Sequence, residues 1–279
     1  MEWIIGLAGS VLIAGAAYAR KSLSGSGFAA AAALGTAMYA LGSAVWFGTL
    51  IAFFVSSTLL SKWKRKAKEA AESGYEKTGR RDAGQVAANG GLALLLCAAN
   101  AWRPDPLWWY AYLGVMASVN ADTWATEIGG LSRSRPRSIV TGKLVPAGTS
   151  GGVSALGLAA SMAGGLFIGL VAALLYIAVP GQPDPSGATT VAAKLAGWAA
   201  LGLVCGTIGS LADSLLGATV QLTFRCAVCG RDIEQRRHCG KPAARVRGFA
   251  GWNNDAVNVA GSLAGGIAAA AAAYALLIA

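Results

Sequence analysis

Long apolar runs alternate with short polar stretches along the chain. The runs cover about 3–19, 28–60, 86–102, 107–124, 153–179, 195–216 and 256–278. Polar faces do not recur every few residues within them, as they would on amphipathic helices around a soluble core. Each run is long enough to cross a hydrocarbon layer of ~30 Å as a helix. The run 28–60 is too long for one ordinary span, since a single helix of that length would measure ~50 Å. A hairpin of two short helices turning near Gly42 and Ser43 is the alternative.

Composition sharpens this pattern. The chain is 55% hydrophobic and only 13% charged, whereas globular domains carry about 25% charged residues. The expected fold is an all-α, polytopic transmembrane bundle of seven to eight spans. It forms one integral membrane domain over residues 1–279, with a cytoplasmic Cys/His loop at 219–250 inserted before the last span. Glu2 stands where a signal peptide would be basic, and no clean cleavage site precedes Arg20, so the first run is expected to be a retained span.

The net charge is +10, but Lys and Arg cluster in the gaps between apolar runs. That is the positive-inside distribution rather than a nucleic-acid surface. Loops 62–82, 133–143 and 225–247 hold 19 of the 23 basic residues. A hairpin at 28–60 adds Arg20 and Lys21 to the same side, whereas a single long span would put them outside. Eight spans with both termini outside fit the charge best. The expected setting is a bacterial plasma membrane, with the lipid bilayer as a partner, anionic headgroups near the basic loops and no nucleic acid. An oligomer is compatible with the pattern. The opposite loops are short turns, "RPDP" at 103–106 and "PGQPDPSG" at 180–187. Gly157, Gly164, Gly165 and Gly169, and again Gly261, Gly265 and Gly266, allow close helix approach.

Acidic residues at the ends of apolar runs are costly in lipid and mark candidate sites. Asp82, Gln85 and Asn89 share one helix face. In "NADTWATEIGG", Asn120, Asp122 and Glu127 occur in close succession, with Glu127 about 140° around a regular helix from Asp122. Thr207, Ser210 and Asp213 form a polar stripe, and "WNNDAVNVAGS" holds Asn254, Asp255 and Asn258. All four clusters fall on one membrane side in the eight-span topology. Carboxylates with amide side chains suit a hard cation such as Mg²⁺.

After Glu127 come Arg133, Arg135, Arg137 and Lys143, then "GTSGGVS" at 148–154. Gly148, Thr149, Ser150, Gly151 and Gly152 offer N–H groups and hydroxyls at the start of a helix, which suits an anion. A plain flexible connector fits the same residues, and the run is not a Walker A loop. Further on, "CAVCGRDIEQRRHCG" carries Cys226, Cys229, His238 and Cys239. Four such ligands suit a closed structural Zn²⁺ site, with a disulfide as the alternative. The reducing cytoplasmic placement favours zinc.

The strings "RDAGQVAANGG", "NADTWATEIGGLS", "PRSIVTGKLVPAGTSGGVS", "GSLADSLLGATVQ" and "NNDAVNVAGS" resemble, in this order, an integral membrane family. That family includes plant phytyl-phosphate kinase and is distantly similar to CTP-dependent dolichol and phytol kinases. The resemblance implies an enzyme, a kinase transferring a phosphoryl group from CTP or another nucleoside triphosphate to an isoprenyl or phytyl-type monophosphate. Its active site would lie on the cytoplasmic side. Asp122 and Asp213 are then the expected Mg²⁺ ligands. Glu127 and Asp255 would serve metal or nucleotide, Arg81, Lys143 and Gly148–Gly152 would bind phosphate, and Asp82, Asn89, Asn120, Asn254 and Asn258 would orient ligands. The rival reading is a transporter or flippase for a phosphorylated lipid or small anion, since glycine-rich spans with intramembrane acids also serve alternating access.

Overall fold

A computed structural model describes residues 1–77, 79–181 and 184–278. Gln182 and Pro183, within the turn expected at 180–187, lie outside the described residues, as do Thr78 and Ala279. The described residues form nine helices: α1 (Glu2–Ala19), α2 (Gly25–Leu41), α3 (Ala44–Lys62), α4 (Arg65–Glu72), α5 (Ala83–Trp102), α6 (Pro106–Gly129), α7 (Ala155–Ala178), α8 (Val191–Thr219) and α9 (Asn254–Ile278). Eight of them match the apolar runs. By length and composition α1, α3, α7, α8 and α9 can each cross a membrane, and α2 is a shorter apolar helix. Helices α5 and α6 carry many of the chain's polar candidate residues.

The long run 28–60 is a hairpin of α2 and α3. Ser43 caps α3, its side chain accepting from the Val45 N–H at 3.3 Å. The basic stretch 62–82, expected as a loop, contains α4. Its basic residues alternate with alanines and glutamates, so the segment is helical and polar rather than a plain connector. Caps account for five more helix starts: Ser24 for α2, a reciprocal Asp82–Gln85 capping box for α5, Asp105 followed by Pro106 for α6, Ser154 for α7 and Thr190 for α8. Each side chain occupies an N–H that the helix itself leaves unpaired.

Helix α6 is the central strut, packed against α7, α8, α9, α5 and α3. Small residues make this possible. A Cβ on Gly164 of α7 would lie 3.1 Å from the Ala121 Cα, and one on Gly206 of α8 would lie 2.9 Å from the Ala117 carbonyl oxygen. Ser118, buried in α6, donates to the Gly114 carbonyl at 2.7 Å and to the Cys205 carbonyl at 3.3 Å, so its hydroxyl is satisfied inside the bundle.

The two ends of α6 differ in chemistry. Near its start Trp109 and Tyr112 pack edge-on or tilted against Trp46, Tyr176 and Trp198, with ring centroids 4.5 Å (Trp46–Tyr112) to 5.6 Å (Trp109–Trp198) apart. The Tyr112 hydroxyl donates to the Trp46 carbonyl at 2.5 Å. Asp122 and Glu127 lie towards the other end, about 20 Å along the axis from Trp109 to Asp122. Two connections cover that polar end. Residues 130–154 carry β1 (Arg137–Ser138) and β2 (Gly152–Val153), which pair antiparallel. The segment between α8 and α9 carries β3 (Thr223–Arg225), β4 (Asp232–Ile233), β5 (Arg237–His238), β6 (Lys241–Pro242) and β7 (Ala244–Arg247). These form a three-stranded sheet in the order β4–β3–β7 and a β5–β6 hairpin.

Candidate functional site

A cavity of about 350 Å³ opens at the polar end of α6. The C-terminal ends of α6 and α8, the N-terminal ends of α7 and α9, and the connection before α5 surround it. Asp122, Glu127, Asp213 and Asp255 all line it, as do Asn89, Asn254, Asn258 and Gly148–Gly152. The four acids nevertheless do not close on one point. Among the described residues, only the Cys/His set brings three or more metal-binding side chains together.

Two of the acids are neutralised by lysines that no sequence motif singles out. Glu127 is ion-paired with Lys68 of α4 and accepts from the Ser61 hydroxyl. Lys68 is only 1% exposed, and its ammonium also donates to the Leu60 carbonyl at 2.8 Å. Lys77 donates to Asp255 at 2.5 Å and to Asp82 at 3.3 Å. Partial burial works against the Lys77 charge, but hydrogen bonds to these two carboxylates outweigh it and raise its pKa. Asp82 also caps α5 and does not line the cavity.

The Lys68–Glu127 pair makes a direct prediction. Lys68→Met leaves the Glu127 carboxylate without its cation and lowers stability by about 3–5 kcal/mol. Adding Glu127→Gln recovers most of that loss. Thermal unfolding in detergent checks both variants, and an unchanged midpoint for Lys68→Met would remove the pair from the fold's supports.

Asp122 and Asp213 are the exception. Neither forms an ion pair among the described residues. The Oδ2 atom of Asp213 is fully buried and has no hydrogen-bond partner among them. Tight α8–α9 packing fixes the aspartate's position, since a Cβ on Gly261 would lie 2.9 Å from the Asp213 Cβ. A buried carboxylate oxygen without a donor carries its full desolvation cost. The cavity side chains on the same helix ends, Asp122, Ser210 and Ser214, offer oxygen, which fits a hard divalent cation rather than a soft metal.

A further acid of the cavity, Glu234, lies within the Cys/His string, between Cys229 and His238, where the sequence gives it no role of its own. It follows β4 and reaches into the same space. The Ser150 hydroxyl at 3.2 Å, the Gln221 amide at 2.9 Å and the Glu76 N–H at 3.1 Å all donate to it. Burial pushes its carboxyl pKa up despite these donors. No local signal marks it, because its sequence neighbours belong to the Cys/His segment.

The glycine loop is a built turn. Gly148 and Gly151 have φ of +80° and +79°, backbone that L side chains adopt only with strain. The Thr149 hydroxyl donates to the Pro146 carbonyl at 2.8 Å, the Gly152 N–H donates to the Thr149 carbonyl at 2.9 Å, and Ser154 caps α7. The loop therefore forms one wall of the cavity, with several of its donors already used.

The cations of the cavity come from an unexpected place. Lys143 is exposed and lies outside the lining, on the turn after β1. Lys62, Arg65, Lys77 and Arg81 line the cavity instead. The segment 62–81 folds back over the end of α6, while 133–143 forms a surface turn in which Arg137 donates to the Gly142 carbonyl at 2.9 Å. Asn120 is also elsewhere. It is fully buried, its amide donates to the Gly164 carbonyl at 2.8 Å, and its oxygen accepts from Ser56 at 2.9 Å. It ties α6 to α7 and α3.

Cys226, Cys229, His238 and Cys239 offer ligand atoms that all lie within 4.8 Å of one another. The His238 Nδ1 is 3.5 Å from the Cys229 sulfur and 3.2 Å from the Cys239 sulfur. A tetrahedral zinc site with Zn–S of ~2.3 Å separates its ligand atoms by about 3.5–3.8 Å, so this set could hold a metal ion. A disulfide between two of the thiols would not require the other two groups at the same point. The turn that presents the pair is tight, with Cys239 at φ +50° and Gly240 at φ +75°.

A helical bundle with a polar, acid-lined cavity at one end and a Cys/His cluster beside it defines a polytopic membrane protein with a polar cavity at the end of its apolar helices. The chain belongs to the family described as integral membrane protein DUF92, whose profile matches residues 8–266. It is 33% identical to protein PGR of Arabidopsis thaliana over 266 residues, spanning 89% of this chain and 88% of that one. It is 30% identical over 174 residues to an uncharacterized membrane protein of Methanocaldococcus jannaschii, spanning 61% and 62% of the two chains. The chloroplastic protein VTE6 of Arabidopsis is 26% identical over 264 residues, 93% of this chain and 68% of that one. No solved structure matches the chain.

Proposed function

We propose that the cavity transfers a phosphoryl group from CTP or another nucleoside triphosphate to an isoprenyl or phytyl-type lipid monophosphate on the cytoplasmic side of a bacterial plasma membrane. The observation that carries this reading is the uncompensated pair Asp122 and Asp213, with the orphaned Asp213 Oδ2, in one cavity with Lys77 and Arg81. Those two carboxylates would hold Mg²⁺, which would neutralise charge building on the transferred phosphoryl group. The basic residues bind the phosphates, and the Gly148–Gly152 turn shapes the wall against which they sit. The acceptor is already a phosphate oxygen, so no strong general base is needed. The motif resemblance, the membership of the integral membrane family and the similarity to VTE6 support the same chemistry. The aromatic cluster at the other end of α6 supports an enzyme over a transporter, because alternating access needs a path open to both sides.

The test is transfer of label. Purified protein in detergent, given γ-labelled CTP, Mg²⁺ and phytyl or farnesyl monophosphate, is expected to put label into the lipid diphosphate. Label that stays in nucleotide and inorganic phosphate with every nucleotide tried would sink the proposal.

A further inference from the structure

A second, apolar groove of about 60 Å³ lies between α1, α2, α3 and α5. Ile13, Leu34, Phe47, Phe54 and Val86 form its sides. Arg81, Gln85 and Asn89 line both this groove and the polar cavity, so the two spaces share a wall. Helix α1 packs mainly on α2 and turns Ile4, Leu7 and Leu12 outward, as a helix facing lipid does. Ile13, Phe47, Phe54 and Val86 are only half-buried, so the groove is accessible rather than closed. The Ser10 hydroxyl in its lining is 3% exposed by residue and has no partner among the described residues.

Arg81 is the hinge of this arrangement. Its guanidinium donates to the Ser57 hydroxyl at 3.0 Å and lies 6.0 Å from the Phe53 ring centroid. It forms no ion pair among the described residues. Glu127, which acts on it at longer range, is already engaged by Lys68. Its backbone is pinned as well: the Arg81 N–H donates to the Ser22 carbonyl and the Ser24 N–H donates to the Arg81 carbonyl, both at 3.0 Å. A fixed guanidinium without a carboxylate, set between an apolar groove and a polar cavity, matches an amphiphile with an anionic head.

We infer that the groove between α1, α2, α3 and α5 seats the first carbon units of a lipid phosphate monoester, with Arg81 holding its phosphate at the mouth of the polar cavity. The identification of the head as a phosphate monoester rests on the phosphoryl-transfer reading; the groove and the unpaired Arg81 do not. The groove is small, so the remainder of the chain lies in the bilayer and chain length is weakly discriminated. The nucleotide must then enter from the opposite wall, by the Gly148–Gly152 turn.

Photolabelling tests this. The protein is irradiated in nanodiscs with a farnesyl monophosphate carrying a diazirine in its first isoprene unit, without nucleotide, and the adducts are mapped by mass spectrometry. Adducts are expected on Ile13, Leu34, Phe54 or Val86, suppressed by unlabelled farnesyl monophosphate but not by farnesol. Arg81→Gln is expected to reduce labelling about tenfold, the scale of one charge-assisted hydrogen bond, and Val86→Trp is expected to suppress groove adducts by filling the space. Adducts confined to the outer face of α1, or labelling that farnesol competes away equally well, would overturn the groove. Groove labelling without phosphoryl transfer would support the groove and sink the kinase reading. Transfer without groove labelling would do the reverse, and the absence of both would sink both.

Discussion

Asp122→Asn and Asp213→Asn are each expected to lower Mg²⁺-dependent transfer by about 10²–10³-fold, the loss of ~3–4 kcal/mol of charge stabilisation at the reacting group. The expectation rests on how the cavity's charges are matched. Glu127 has Lys68 and Asp255 has Lys77, whereas the Asp122–Asp213 pair has no cation of its own among the described residues. Two neighbouring carboxylates without a counter-ion destabilise the metal-free protein, so removing one charge should leave its melting temperature unchanged or raise it. Saturating Mg²⁺ should stabilise the native protein by about 2.7 kcal/mol at a hundred times its dissociation constant, and both variants should lose that shift. Glu127→Gln and Asp255→Asn should behave in the opposite way, keeping the Mg²⁺ shift but losing stability, more for Glu127→Gln, which strips the buried Lys68 of its carboxylate, than for Asp255→Asn, which leaves Lys77 with Asp82. Full turnover together with an intact Mg²⁺ shift in both Asn variants would remove Asp122 and Asp213 from the metal site.

Removing the knuckle's metal is expected to abolish turnover while leaving the helices in place. The strands between α8 and α9 are two to four residues long, too short to hold together alone. A structural zinc supplies about 10–16 kcal/mol of apparent binding energy in small finger domains. The segment matters to the cavity because it grips the connection before α5: the Glu234 N–H donates to the Gly74 carbonyl at 2.8 Å and the Gln235 amide to the Tyr75 carbonyl at 2.6 Å. Losing it withdraws Glu234 from Ser150 and the cavity wall. Native protein should contain one zinc per chain by elemental analysis, and Cys226→Ser should lose it. The variant should become open to proteolysis within 219–250, with its helical circular dichroism nearly unchanged. A metal-free protein that resists proteolysis and turns over normally would show that the knuckle is dispensable.

The helices were legible because transfer of apolar side chains into lipid is a property of each run by itself. The run 28–60 could be divided for the same reason: Gly42 and Ser43 interrupt it, and Ser43 can cap the second helix. The knuckle was legible from the spacing of Cys226 and Cys229 against His238 and Cys239. Helix α4 was not, because eight mostly polar residues carry no apolar signal and the segment is held through Lys68. Asn120 was placed on the correct helix, but its face depends on α7 and α3, and the carbonyl of Gly164 claims its amide.

The sequence by itself determined that this is a helical membrane protein, where its apolar helices run, and that acids, a glycine turn and four metal-binding side chains lie at their ends. Only the tertiary structure decided which charges meet. Lys68 and Glu127 are 59 residues apart, and Lys77 and Asp255 are 178 apart. No local propensity links such positions, and only the packing of α4 over α6, and of α9 beside α5, brings them together. That packing moves the cavity's cations from 133–143 to 62–81 and leaves Asp122 and Asp213 without an ion pair among the described residues, because Lys68 and Lys77 are held by other acids and Lys62 donates to the Arg20 carbonyl.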